Sequence, residues 1–137
     1  MHHNMTSEYI HRIVDLLTKH EISYVVTGGA SEFIRQTKKI TLDFDVLVKR
    51  SNDNYSRIDE MIKYLNHKGI ASEALFKGKI VRLNIFPFKV DILPRLDGLD
   101  TNIVIEEMEL FRFQGIEIPL ISVKNLEINY QNIKHYE

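Results

Sequence analysis

Val25-Val26-Thr27-Gly28-Gly29-Ala30-Ser31, with residues 30–42 separating Gly29 from Asp43-Phe44-Asp45, is the pattern on which the reading of this chain turns. The first part predicts a short β-branched strand that runs into a Gly-Gly turn and then a helix. The second predicts a strand carrying two carboxylates. Side chains at i and i+2 of a strand point the same way, so Asp43 and Asp45 share a face, with Cβ atoms roughly 6.5 Å apart. Phe44, Val46 and Val48 fall on the opposite, core-facing side. Two acidic groups held together repel unless a cation lies between them. A divalent metal fits that need.

A helix opened by glycines offers free backbone N–H groups and a positive dipole end, which together suit phosphate. Paired carboxylates suit magnesium, a hard ion that takes oxygen ligands and commonly bridges to substrate phosphates. A phosphate cradle beside a metal platform is the equipment of in-line phosphoryl or nucleotidyl transfer with two metal ions. Each piece alone is commonplace: a Gly-Gly after a strand usually just turns, and a lone Asp-x-Asp is usually solvated. Apolar strand, Gly-Gly, helix and Asp-x-Asp within a second apolar strand make a more specific combination.

With Thr27-Gly28-Gly29, thirteen residues, and then Asp43-Phe44-Asp45, the chain resembles the DNA polymerase beta-type nucleotidyltransferase superfamily. Arg35-Gln36-Thr37 upstream of Thr41-Leu42-Asp43-Phe44-Asp45 is most similar to the small lincosamide-type antibiotic nucleotidyltransferases and the abortive-infection-type toxin nucleotidyltransferases. The resemblance implies an α/β (α+β) nucleotidyltransferase fold, a mixed β-sheet with helices packed on it; the length and the lack of repeats or linkers make residues 1–137 a single domain. It also implies a third carboxylate on a later strand, in an apolar-Asp-apolar setting such as Val90-Asp91-Ile92.

Composition sets broad bounds. The 137 residues are 44% hydrophobic and 27% charged, enough to bury a real core. A net charge of −1 provides no global field toward nucleic acid or membrane, so any such contact needs a local patch. Cysteine is absent, which removes disulfide and thiol chemistry and is compatible with the cytoplasm. No apolar run approaches the ~20 residues of a membrane span, and Met1-His2-His3-Asn4 lacks the apolar core of a signal peptide. A cytoplasmic protein is expected.

Around the central pattern the chain reads as alternating elements. Ile10, Ile13, Val14 and Leu17 make one apolar stripe, which predicts a helix over 6–20 with His11 and His20 toward solvent. Strands follow at 23–27 and 42–49, with a helix at about 30–36 between them. Lys38 and Lys39 arrive near the aspartates, as a solvated basic loop or, together with Arg35, as contacts for a triphosphate. Ser51-Asn52-Asp53-Asn54 starts a helix that runs to about 67. This alternation predicts right-handed crossovers. Residues 71–76 and 79–86 read as strands of a hairpin about Lys77-Gly78, and 88–93 as a further strand after a bend at Pro87. Asp91 there points away from its apolar neighbours. Residues 94–102 read as a loop in which Asp97 and Asp100 make turns. Glu106-Glu107-Met108-Glu109 reads as a solvated acidic strand face. A second hairpin about Gln114-Gly115 and a last helix over 123–133, with Val123, Leu126, Tyr130 and Ile133 inward, complete the chain.

Together with the resemblance, these residues imply a division of labour. Asp43, Asp45 and Asp91 hold two Mg2+ ions, or Mn2+, and Asp91 also serves as general base toward the acceptor hydroxyl. The β- and γ-phosphates of a nucleoside triphosphate such as ATP rest on Gly28 and Gly29, with Ser31 and Lys39 as further contacts. The acceptor stays open: a small-molecule antibiotic, as in antibiotic resistance, or tRNA or a protein, as in a toxin–antitoxin or abortive-infection system. A homodimer or a helical partner protein is compatible with the pattern.

Overall fold

A computed structural model of the protein describes residues 5–133. In chain order the elements are α1 (Ser7–Lys19), β1 (Tyr24–Thr27), α2 (Gly28–Ile34), β2 (Asp43–Val48), α3 (Asn52–Tyr64) and α4 (Ser72–Phe76). They continue with β3 (Val81–Ile85), β4 (Phe88–Leu93), α5 (Thr101–Glu106), β5 (Glu109–Phe113), β6 (Ile116–Leu120) and α6 (Val123–Ile133). Among the described residues the six strands form one mixed sheet in the order β3-β4-β2-β1-β6-β5. β2 runs parallel to β4, and β1 parallel to β6, while β1–β2, β3–β4 and β5–β6 are antiparallel. The expected crossover between the first two strands is therefore absent: α2 simply returns the chain antiparallel.

Alternation along the strands builds two cores. On one face Val26, Phe44, Val46, Val48, Val90 and Ile92 pack against the apolar stripes of α1, α2 and α3. Phe44 is fully buried, which is worth about 2–3 kcal/mol. On the other face Val25, Leu47 and partly buried Leu93 meet Val104, Ile105 and Leu126 from α5 and α6. These two helices cover only part of that face.

Capping and a few long-range bonds hold the layers in place. Thr6 caps α1 by accepting from the Tyr9 amide, and the Tyr9 hydroxyl donates to the Ile85 carbonyl at 2.7 Å, tying α1 to the β3 end. Ser51 caps α3. Buried Asn54 accepts from the Ser23 amide and donates to the Ser23 and Lys49 carbonyls. One amide thus fastens α3 to the start of β1 and the end of β2, satisfying groups that are costly to bury alone.

Three local expectations are corrected. Residues 71–76 are helical, not a strand. Ala71 and Leu75 are the buried pair, a helical i, i+4 spacing, and the Asp59 carboxylate accepts from the Ala71 and Ser72 amides to open the turn. Lys77-Gly78 consequently ends α4, and the hairpin of this region turns instead at Phe86-Pro87, between β3 and β4. Residues 101–106 form α5, capped by Asp100, which accepts from the Ile103 amide. In α6, Asn125, Leu126 and Asn129 are buried, while Val123 and Ile133 stay exposed, because the helix packs on a narrow strip beside a cleft.

Candidate active site

Sheet register builds a row of polar side chains across four strands. Asp45 is the register partner of Asp91 across β2–β4, Asp91 that of Arg82 across β3–β4, and Asp45 that of Thr27 across β1–β2. Side chains in register share a face, so Arg82, Asp91, Asp45 and Thr27 stand side by side. The next row holds Asn84, Lys89 and Asp43. These rows lie on the face where α5 and α6 supply the core, beyond the apolar Leu93–Leu47–Val25 row that those helices cover. The three carboxylates singled out in the sequence are therefore brought to one open patch.

Their environments differ. Asp43 is exposed, Asp45 half-buried and Asp91 buried. The Arg82 guanidinium grips Asp91 with a two-pronged hydrogen bond, Nε to Oδ1 at 2.7 Å and Nη2 to Oδ2 at 3.0 Å. Asp45 has no such partner, and its Oδ1 is buried without a hydrogen bond. Burial, with the charges of Asp91 and Asp43 added and Arg82 opposing, pushes the Asp45 carboxyl up to about 6. The Thr27 hydroxyl, its row neighbour, is likewise buried without a partner. Among the described residues no three His, Cys, Asp or Glu side chains converge closely enough to hold an ion as they stand. Both Asp91 oxygens face Arg82. The oxygen-only donor set and the unpartnered Asp45 oxygen nevertheless fit a hard divalent cation, since buried unsatisfied oxygens are costly.

The Gly-Gly turn closes on this patch. Gly28 has φ +61°, a conformation that L side chains rarely adopt, and a Cβ there would come 3.0 Å from Asp45 Oδ2. At Gly29 a Cβ would lie 3.1 Å from the Lys38 ammonium and 3.2 Å from the Thr41 hydroxyl. Glycine thus lets the start of α2 approach both a carboxylate and a cation. The remaining expected contacts divide. Ser31 is buried and its hydroxyl donates to the Gly28 carbonyl at 2.7 Å, bracing the turn. Lys39 is exposed and borders a neighbouring cleft with Ser7, Phe33 and Phe113, which Lys38 also lines, but it does not line the cleft at Asp45. Lys38 is the lysine at the Gly-Gly turn, and Arg35 is spent on the Ile121 carbonyl and Glu109.

Two clefts meet at Asp45. One, of about 470 Å³, is lined by Gly29, Lys38, Thr41, Leu42, Asp43 and Asp45. The other, of about 340 Å³, runs from Thr27, Gly28 and Asp45 to Arg95, Asn129 and Tyr130. Both lie in the size range of ligand sites. The Tyr130 hydroxyl donates to Glu32 of α2, and burial and the neighbouring Glu32 raise its pKa above the ordinary tyrosine value. Sequence reasoning missed Arg82 altogether, and of the two lysines it placed near the aspartates it singled out Lys39, whereas Lys38 is the one at Gly29. Arg82 sits on a strand with ordinary alternation, and only the pairing of that strand to β4 marks it. The acidic 106–109 cluster is split up: Glu107 accepts from Asn125, and Glu109 accepts from the Val123 amide and pairs with Arg35.

No protein-family model matches the sequence, and no curated protein matches it. A solved structure is similar: the crystal structure of a "putative nucleotidyltransferase" from Thermotoga maritima. It is 18% identical, with a TM-score of 0.69 over 98% of this chain and 90% of the other. At that identity the likeness shows the fold, and the mixed six-stranded sheet with its helices is the nucleotidyltransferase fold. Among the described residues no helix is long and apolar enough to cross a membrane.

Proposed function

We propose that the protein is a magnesium-dependent nucleotidyltransferase that moves a nucleoside monophosphate from a nucleoside triphosphate to an acceptor hydroxyl. One observation carries the reading: a carboxylate with an unpartnered buried oxygen, Asp45, lies against the glycine that opens α2 and in register with a second carboxylate, Asp91. The fold of the T. maritima protein supports it.

In this reading Asp43, Asp45 and Asp91 hold the metal. Bound there, magnesium supplies charge stabilisation to the attacking and departing oxygens. The chain's own groups do the rest. The Gly28 and Gly29 amides and the Lys38 ammonium receive the β- and γ-phosphates. Ser31 keeps the turn in shape. Asp91 takes the proton of the acceptor hydroxyl, whose oxygen joins the α-phosphorus as pyrophosphate leaves. The packed β2 core, Phe44 and Val46 above all, keeps the carboxylates still, and a displacement of about 1 Å costs on the order of 100-fold in rate. ATP is the first donor to try. The acceptor is a small-molecule antibiotic or, in a toxin–antitoxin setting, tRNA or a partner protein.

The test is a donor and acceptor screen. Purified protein is incubated with magnesium, each α-labelled nucleoside triphosphate, and lincosamides, aminoglycosides, tRNA or candidate proteins. Label transfer that disappears in Asp45→Asn is expected. If no nucleotide at millimolar concentration transfers label or raises the melting temperature, the reading fails.

A further inference from the structure

The metal reading leaves one side chain unexplained. Arg82 is on β3, at the edge of the sheet, yet its guanidinium lies inside the acidic patch and takes both oxygens of the most buried carboxylate there. Its side chain is 56% exposed while that of Asp91 is 12% exposed, so arginine reaches in from solvent to a fixed acid. The negative charges of Asp43 and Asp45 also act on it. A planar fork matched to a carboxylate is the geometry in which arginine holds best.

We propose, building on the metal reading above, that Arg82 is a resident counter-ion which a divalent metal must displace before Asp91 can serve as a ligand. The reasoning is competition for shared lone pairs. With both oxygens accepting from Arg82, Asp91 has its best directions occupied, and a guanidinium beside a dication adds repulsion. Arg82 is tethered by backbone pairing, but its side chain is 56% exposed, so the guanidinium can leave Asp91 without unpacking a core. Without metal it prevents Asp91 from facing Asp45 uncompensated. Arg82 is thus a positioning residue: it tunes when the third carboxylate is available and takes no part in bond making. The same swing frees a cation beside a site that is to receive a polyphosphate. Anion and metal therefore favour the same Arg82 position and help each other bind.

The experiment measures Mn2+ binding to nucleotide-free protein by electron paramagnetic resonance, with Mn2+-induced changes in melting temperature alongside. Wild type, Arg82→Met, Arg82→Lys and Asp45→Asn are compared. Circular dichroism of the metal-free variants reports the fold. Arg82→Met is expected to bind Mn2+ roughly fivefold or more tightly than wild type. Its melting temperature without metal falls, and Mn2+ raises it by a larger increment than in wild type. Arg82→Lys, which keeps the charge and loses the fork, falls between the two. Asp45→Asn loses binding, which tests the metal reading by itself. Equal Mn2+ affinity in wild type and Arg82→Met, with Asp45→Asn still defective, overturns the Arg82 proposal and leaves the metal site standing. No binding in any variant overturns both. An unfolded Arg82→Met is replaced by Arg82→Gln, to which the same criterion applies.

Discussion

Asp45 and Asp91 are register partners on parallel strands, yet Asp91 has both oxygens on Arg82 while Asp45 keeps one buried oxygen without a partner. The patch is therefore asymmetric: one acid is neutralised by the protein, and its neighbour is left for something else. The first two predictions come from that asymmetry.

Asp45→Asn separates stability from function. Removing a carboxylate repelled by Asp43 and Asp91 is expected to stabilise the metal-free protein by about 1 kcal/mol at neutral pH. Nucleotidyl transfer is expected to fall by on the order of 100-fold or more. Chemical denaturation and label transfer on the same preparation check both. A variant that is less stable yet fully active contradicts the assignment.

The raised Asp45 carboxyl has a pH signature. Its ordinary value is 3.8, and in the fold it is pushed up to about 6, by burial first and then by Asp91 and Asp43. The folded state therefore binds this proton more tightly than the unfolded chain. Between about pH 4 and 6 the folded protein carries more protons, so this group's contribution to stability declines as pH rises through the window. Denaturation of EDTA-treated wild type and Asp45→Asn across pH 4–7 isolates it. The stability difference between them should widen in favour of the variant toward pH 7. A flat difference refutes the shift.

The two glycines are predicted to differ. Gly28→Ala forces a side chain into positive φ and against Asp45 Oδ2, and is expected to cost about 1–3 kcal/mol. Gly29→Ala meets the end of a flexible lysine and the Thr41 hydroxyl, in backbone that alanine accepts. It should change stability by under about 1 kcal/mol while crowding the cleft. Melting curves rank the two, and equal losses would contradict the geometry.

The neighbouring lysines should also separate. Lys38→Ala is expected to raise the KM for the triphosphate roughly tenfold, the scale of one charged hydrogen bond. Lys39→Ala should leave KM near wild type, because Lys39 borders a different cleft. Steady-state kinetics on the two variants decide it, and the reverse ranking would return Lys39 to the phosphate site.

Much of the frame is legible in the residues alone. The stripe Ile10, Ile13, Val14 and Leu17 buries one side of α1, and β1, β2, β4 and β6 appear close to where β-branched alternation puts them. Residues 71–76 are misread because a run with only two buried residues carries too little pattern to separate a period of 2 from one of 3.6. The α5 turn is missed for a similar reason: between a turn-rich loop over 94–102 and an acidic stretch from Glu106, too few residues remain to show a helical period.

What the sequence by itself determined is the side of its own strand on which each residue stands. Asp43 with Asp45, and Asp91 opposite Val90 and Ile92, follow from the stereochemistry of consecutive residues, which is local. What only the tertiary structure decided is which strands are neighbours and in what register. That choice puts Arg82 on Asp91, Asp91 beside Asp45, and Lys38 rather than Lys39 at Gly29. Contacts between residues far apart in the chain depend on how whole faces bury one another. No short stretch carries that information.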